Sequence, residues 1–416
     1  MTLVPINSTL NRVMIKELGI AATLVAILAS LPYLFSPLQV AIGSYSDRHP
    51  IFGLRRTPYI LLGLLLCVTG VAVSPQVAFL MADNPPLGIL AAALAFGAWG
   101  MGYNLSSVSY LALAAELSGE EGRGKTIAAM WFMMIVSIII TAISLSRMVE
   151  PYSPQALQNA FWMVGLAALL IGLLGLIRLE SRSKNETRAS AENYTFKEMA
   201  AVILKSRQVT LFFWYLTLLL AAILGQDVLL EPFAAERFGM TVRQTTGITS
   251  IWGTAVLLTI LLAGALERRL PRKLVAQIGN AAALGGFLLI VASGFTASTG
   301  IFYSGVILLG AGTGLSTVAN LALMFDLTLP GYAGLFIGAW GVANALSRLT
   351  GNLVAGIVRD AVTNVGQNPI AGYLVVFGIE AVMLAIAIGM LSKIDVTTFR
   401  KQVETPSVLE RAALAD

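Results

Sequence analysis

The sequence predicts an all-α integral membrane protein made of two similar six-helix halves, with the first helix truncated in this chain. Three observations carry that expectation. Of the 416 residues, 57% are hydrophobic and only 12% charged. A soluble globular domain carries roughly 25% charged residues, so this chain cannot cover its own surface in water. The apolar residues come in runs of about twenty, the length of helix that crosses a bilayer core, and not in the ten-residue alternation of an outer-membrane strand, which excludes a large β-barrel. Short landmark strings also recur at a nearly constant offset.

Taken in order, residues 1–15 begin apolar but are too short to span. Eleven spans follow at about 18–45, 57–81, 86–115, 123–149, 156–179, 208–232, 244–266, 272–296, 300–325, 332–358 and 370–391. The long polar stretch 180–207 is the natural linker between an N-terminal half, 1–179, and a C-terminal half, 208–391, with a tail at 392–416. Basic residues fall mainly on one side of this arrangement. Arg48, Arg55 and Arg56, Arg123 and Lys125, seven residues from Arg178 to Arg207, four from Arg268 to Lys273 and four in the tail make twenty of the 27 Lys and Arg. That side, with the linker and the C-terminus, is expected to be cytoplasmic.

The repeat rests on two pairs of landmarks. G-S-Y-S-D-R at 43–48 recurs as G-A-L-E-R-R at 264–269, and A-E-L-S around Glu116 is echoed by F-D-L-T around Asp326. Duplicated halves are common in transporters. Moving back by the same offset from 208–232 places its partner partly before Met1. The first helix is therefore expected to be incomplete, with Met1 partway along a helix and not in a free arm.

Composition removes several chemistries. A single cysteine, Cys67 in an apolar run, excludes a disulfide framework and any Cys-based metal site, and a single histidine, His49, excludes most His-ligated cofactor sites. The net charge of +5 does not imply a nucleic-acid partner, because the basic residues sit in short loops, where a lipid bilayer explains them. No nucleophile–base pair is apparent, so the chain is not expected to be an enzyme. The glycine runs at 97–102, 310–314 and 341–351 lie inside apolar spans with no strand before them, so they are helix-packing faces and not phosphate loops. The six tryptophans are spread over six helices and are expected at interfaces and helix contacts.

The segment GSYSDRHPIFGLRR at 43–56 resembles the loop signature of the major facilitator superfamily. Gly43 permits close helix approach, Asp47 caps or pairs, and Arg48, Arg55 and Arg56 hold the loop at the membrane surface. With Glu267 and Arg268 in the second copy, these residues form an expected conformational latch. The strings NSTLNRVMIKELGI (7–20), SDRHPIFGLRRTPYI (46–60), GQDVLLEPFAAERFGM (225–240) and DLTLPGYAGLFIGAWGVANALSR (326–348) resemble the PucC/LhaA, or bacteriochlorophyll delivery, family of that superfamily, over essentially the whole chain. Members usually have a complete first helix before the LNRVMI string and commonly an aspartate where this chain has Glu116.

The resemblance implies the superfamily fold and a protein of a photosynthetic membrane, thylakoid or bacterial inner membrane. It would assemble light-harvesting or photosystem apoproteins while handling chlorophyll or bacteriochlorophyll transiently, with chlorophyll synthase as a further partner. The rival expectation is a proton-coupled secondary transporter of a small solute on the same scaffold.

Buried ionisable groups are the site candidates, because a charge at the bilayer centre costs at least about 2.5–3.5 kcal/mol unless paired. Asp227 and Glu231 are four residues apart and are expected on one helix face beside Gln226. Either this face meets pigment or a proton in a cavity between the halves, or Pro232 ends the helix and both carboxylates bind Arg237 or Arg243 at the outer interface. Arg348, deep in an apolar helix one turn after Asn344, requires an acid from a facing helix, for which Asp326 and Glu380 are the expected partners, unless it snorkels out. Gln226, Asp227, Glu231 and Asn344 are the expected oxygen contacts for any pigment.

Overall fold

The structure, a computed structural model, describes residues 1–38, 42, 45–46, 49–180, 207–266, 269–327 and 333–395. These residues are almost entirely helical. Two wide π-helical turns, Pro5–Leu10 and Val13–Glu17, open the chain. In the N-terminal half follow α1 (Ala22–Ala29), α2 (Leu31–Leu34), α3 (Thr57–Asp83), α4 (Pro85–Met148) and α5 (Pro154–Leu176). The C-terminal half holds α6 (Arg207–Gly225), α7 (Leu230–Phe238), α8 (Val242–Leu266), α9 (Arg272–Thr296), α10 (Thr299–Asp326), α11 (Ala333–Gly366) and α12 (Pro369–Ser392).

Among the described residues, nine stretches are long and apolar enough to cross a membrane. The other two expected spans differ for local reasons. The run 18–45 breaks at Ser30, because Pro32 has no N–H to continue the helix. The run 332–358 lengthens into α11, which reaches Gly366 and carries Asn344, Ser347, Arg348 and Asn352 through its middle.

A second difference lies at 115–123, where a connection between two spans was expected. Helical hydrogen bonding runs on from Pro85 to Met148, through both Pro85–Ser118 and Ala128–Met148. No proline occurs between Pro86 and Pro151, so nothing deletes a helix hydrogen bond there.

Several helices start at the signals their sequences carry. Asn84, Ser153 and Asn368 cap α4, α5 and α12, each followed by a proline whose missing N–H costs nothing in the first turn. The first residues are packed in place: Ile6, Leu10, Val13 and Met14 are fully buried, and the Met1 amino group donates to Ser137 Oγ at 3.4 Å. Residues 1–15 are not a free arm.

Helix pairs α3/α4 and α9/α10 pack most extensively and occupy equivalent places in the two halves. Each pair touches through glycine. A Cβ on Gly102 would lie 2.6 Å from the Cys67 amide nitrogen, and one on Gly312 would lie 2.6 Å from the Gly279 carbonyl oxygen. The ion pairs match too: Arg56 binds Glu116 at 3.1 Å in the first half and Arg272 binds Asp326 at 2.7 Å in the second.

Candidate functional site

The centre of the molecule is organised by a break after α6. The helix ends at Gly225, a 3₁₀ turn spans Gln226–Val228, and α7 starts at Leu230 with Pro232 in its first turn, where no backbone donor is lost. Gly225 allows close approach: its backbone stands against Gly351 of α11 and the Glu380 carboxyl of α12.

This break separates two carboxylates that a continuous helix would stack on one face. Asp227 accepts from Arg348 Nη1 at 3.0 Å and from Gln226 Nε2 at 2.9 Å. The Arg348 guanidinium in turn lies over the Tyr33 ring, 5.2 Å from its centroid. Tyr33 belongs to the N-terminal half and Arg348 to the other, so this group sits between the halves. It is not sealed, since the side chains of Arg348 and Asp227 keep 28% and 25% of their exposure. Asn104 fixes the Tyr33 position, donating to the Pro32 carbonyl at 2.7 Å, and Gly100 lets α4 approach that turn.

Glu231 points elsewhere. Its Oε1 accepts from Ser8 Oγ and, at 2.8 Å, from Thr249 Oγ1, while Oε2 is buried with no hydrogen-bond partner. Nearby, Thr9 bonds Thr246 at 2.9 Å and Arg12 donates to the Met240 carbonyl at 3.2 Å. The N-terminal segment is thus tied to α8 and its approach by hydroxyls and one guanidinium.

Further links join the halves at the same end of the bundle. Asp360 of α11 caps α1, accepting from the Thr23 amide at 2.7 Å, from the Thr23 hydroxyl at 2.7 Å and from the Ala22 amide at 3.2 Å. Beside it, Arg359 and Tyr373 both bind Glu236. Arg243 binds Glu150 at 2.5 Å. By contrast, links between described residues at the end bearing Arg56 and Arg272 stay within one half. There Lys273 Nζ donates to the Ser392 and Ile394 carbonyls.

Several expected sites are therefore rearranged. Arg348 pairs with Asp227 and not with Asp326 or Glu380, because the break in α6–α7 turns Asp227 toward α11. Asp326, at the far end of α10, pairs with Arg272. Glu380 is buried against α6 and α11 in a pocket of about 90 Å³ lined by Ala221, Gly351, Val354 and Met383, and neither carboxyl oxygen has a hydrogen-bond partner. Arg237 reaches only the Phe295 carbonyl, and Arg243 takes Glu150, so neither holds Asp227 or Glu231. Asn344 donates to the Trp340 carbonyl of its own helix and Asn352 to Ser30. Of the expected latch, Gly43, Asp47, Arg48, Glu267 and Arg268 lie outside the described residues. Among the described residues no group of three His, Cys, Asp or Glu could hold a metal ion.

Sequence reasoning missed Ser8, Tyr33, Glu236, Asp360 and Tyr373, whose partners are remote in the chain. It also missed Glu180, whose carboxylate accepts from the amides of Arg55 (2.7 Å), Arg56 (3.1 Å) and Thr57 (2.7 Å) at the start of α3. Burial opposes ionisation there, but the Thr57 amide and its neighbours outweigh it and hold the carboxyl below its usual 4.5. A depressed carboxyl stabilises the fold above its ordinary value, and that contribution is lost as pH falls through the lowered one. Glu180→Ala should cost about 1 kcal/mol at pH 7, as a lost cap does. Thermal unfolding at pH 7 and below pH 4 checks this, the difference from wild type shrinking in acid.

Comparison with known proteins bears on what this arrangement serves. A family model described as PUCC protein matches residues 9–399. Protein PucC of Rhodobacter capsulatus is 31% identical over 410 residues, covering 93% of this chain and 88% of that protein. A protein of the same species named bacteriochlorophyll synthase 44.5 kDa chain is 27% identical, over 97% of this chain and 94% of its own. Among solved structures, the nucleoside transporter NupG superposes with a TM-score of 0.72 at 17% identity, over 94% of this chain and 97% of that one. This likeness shows the fold, that of the major facilitator superfamily.

Proposed function

The chain belongs to the PUCC protein family, and on that premise we propose that it is a membrane assembly factor for light-harvesting or photosystem complexes that holds or delivers chlorophyll or bacteriochlorophyll. The observation that carries the reading is kinship along the full length of the chain, including a relative named for bacteriochlorophyll synthesis. In this reading that name describes a place in the pathway and not catalysis by this chain. Its partners are the antenna or photosystem apoproteins, with chlorophyll synthase a further one. The Arg56 and Arg272 end and the C-terminus face the cytoplasm, as the positive-inside bias favours.

The residues suit transient handling. Stable chlorophyll sites commonly use a histidine inside a helix, whereas the only histidine here, His49, is exposed outside the spans, with Nδ1 3.0 Å from the Tyr45 carbonyl. Pigment would instead meet the partly exposed group between the halves around Asp227, with Gln226, Asn344 and Tyr33. Glu231 is committed to Ser8 and Thr249 and is a weaker candidate.

Purification in mild detergent from a pigment-containing host tests the proposal. The expected result is substoichiometric chlorophyll, lost on extended washing, retained better when an antenna apoprotein copurifies. Several chlorophylls per chain surviving harsh purification without a partner would refute transient handling. Proton-driven uptake of a small solute into proteoliposomes, with no pigment or apoprotein copurifying, would favour the transporter reading that the shared fold also allows.

A further inference from the structure

We propose that Glu380 holds the axial ligand of a magnesium chlorin, so that the chain meets chlorophyll or bacteriochlorophyll from the lipid side, at a crevice between α6, α11 and α12. This rests on the pigment reading above and gives the pigment a second contact, apart from the group around Asp227.

Three observations lead here. Glu380 lies halfway along α12 with 4% of its surface exposed, and neither carboxyl oxygen has a hydrogen-bond partner. Polar atoms buried in a membrane-spanning helix are ordinarily paired. The nearby groups that could serve this one are committed elsewhere: Arg348 to Asp227, Arg359 to Glu236 and Asp360, and the Thr350 hydroxyl to the Leu346 carbonyl of its own helix. Second, the backbone keeps room for the carboxyl. A Cβ on Gly225 would lie 2.8 Å from Glu380 Oε1, and Gly351 lets α11 close on α6 against the Ala221 carbonyl. Third, the crevice opens outward. Its lining includes the exposed Thr350 and Val354, which lie roughly 160° and 120° around α11 from Arg348, so the mouth faces lipid and not the space between the halves.

Size and lining select the ligand. A space of about 90 Å³, walled by Ala221, Val354 and Met383, takes a few water molecules and no macrocycle. A chlorin lying flat across the mouth keeps its ring and its long-chain ester in lipid while its metal projects one group inward. Magnesium is a hard cation that favours oxygen ligands and keeps water. The four ring nitrogens leave an axial position for that water, and a metal-bound water is a strengthened donor in need of an acceptor. Glu380 offers two unused acceptor oxygens there. The contact recognises the metal and ignores the ester, and release breaks only a hydrogen bond, which suits transient handling.

The test uses the full chain in mild detergent and two probes, chlorophyll a and pheophytin a, which differ only in the magnesium. Binding is read at equilibrium by gel filtration in pigment-containing buffer. Wild type should bind chlorophyll a roughly tenfold more tightly than pheophytin a, as a charge-assisted hydrogen bond allows. Glu380→Leu should bring chlorophyll a down to the level of pheophytin a and leave pheophytin a unchanged, whereas loss of a merely structural group would weaken both alike. Glu380→Gln, which keeps a neutral acceptor, should retain part of the preference. Val354→Phe, at an exposed position on the crevice, should also erase the preference, and it decides the matter if Glu380→Leu does not fold. Equal binding of the two probes by wild type overturns the Glu380 inference and leaves pigment handling standing. A chlorophyll preference that survives in Glu380→Leu or Val354→Phe places metal recognition elsewhere and also overturns it. Binding of neither probe sinks both this inference and the pigment reading.

Discussion

Arg348→Ala is expected to lose about 3 kcal/mol of stability, enough to remove most folded protein from the membrane fraction. The pair it breaks joins α11 to the turn after α6, with only about a quarter of each side chain exposed. Removing one member of a buried pair typically costs 3–5 kcal/mol, because the partner is left charged in a poorly solvating place. The low end applies because the pair keeps some contact with solvent. Asp227→Ala should be similarly harmful, since it strands a guanidinium against Tyr33. The double variant Arg348→Gln, Asp227→Asn should recover much of the loss, because it leaves two neutral amides that can bond each other. Thermal unfolding of the detergent-solubilised proteins measures this. Single variants as stable as wild type would place the pair in freely hydrated space and remove its structural role.

The same pair shows where sequence reading stops. Apolar runs, the positive-inside bias and the recurring landmarks disclose the membrane class, the two halves and most span positions, because each is a local or periodic property. That Arg348 needs an acid also follows from its depth in an apolar run. Which acid does not follow, because the answer depends on a single turn. Spaced four apart, Asp227 and Glu231 share a face on an unbroken helix, and the 3₁₀ turn at Gln226–Val228 sends one to Arg348 and the other to Ser8 and Thr249. Pro232 signals an interruption, yet its effect lies on the preceding turn and not on the following one. The links from Ser8, Thr23 and Tyr33 to the opposite half leave still less trace, since a serine, threonine or tyrosine in an apolar segment is unremarkable until its partner, hundreds of residues away, is known.

Alanine at Gly102 should destabilise the protein, whereas alanine at Gly97, in the same glycine run, should be neutral or slightly stabilising. In a helix, Gly to Ala by itself gains about 0.5–1 kcal/mol. At Gly97 nothing lies within 4 Å of an added Cβ, so that gain is free to appear. At Gly102 the Cβ would sit 2.6 Å from the Cys67 amide nitrogen and 2.8 Å from Leu66 Cβ, and only movement of α3 can relieve it. Overpacking of this kind typically costs 1–3 kcal/mol. The repeat extends the expectation to the second half. A Cβ on Gly312 would lie 2.6 Å from the Gly279 carbonyl oxygen and 2.8 Å from the Ala283 Cα, so Gly312→Val should cost about 3 kcal/mol or more and leave little folded protein. Melting temperatures and folded yield across the four variants, Gly97→Ala, Gly102→Ala, Gly312→Ala and Gly312→Val, measure the contrast. Equal behaviour of Gly97→Ala and Gly102→Ala would mean that α3 and α4 do not touch through Gly102, and the matching of α3/α4 with α9/α10 would lose its physical basis. The expected split instead follows from bilayer physics: with lipid on the outside as apolar as the helix surface, close backbone contact is what holds such helices together, and only glycine allows it.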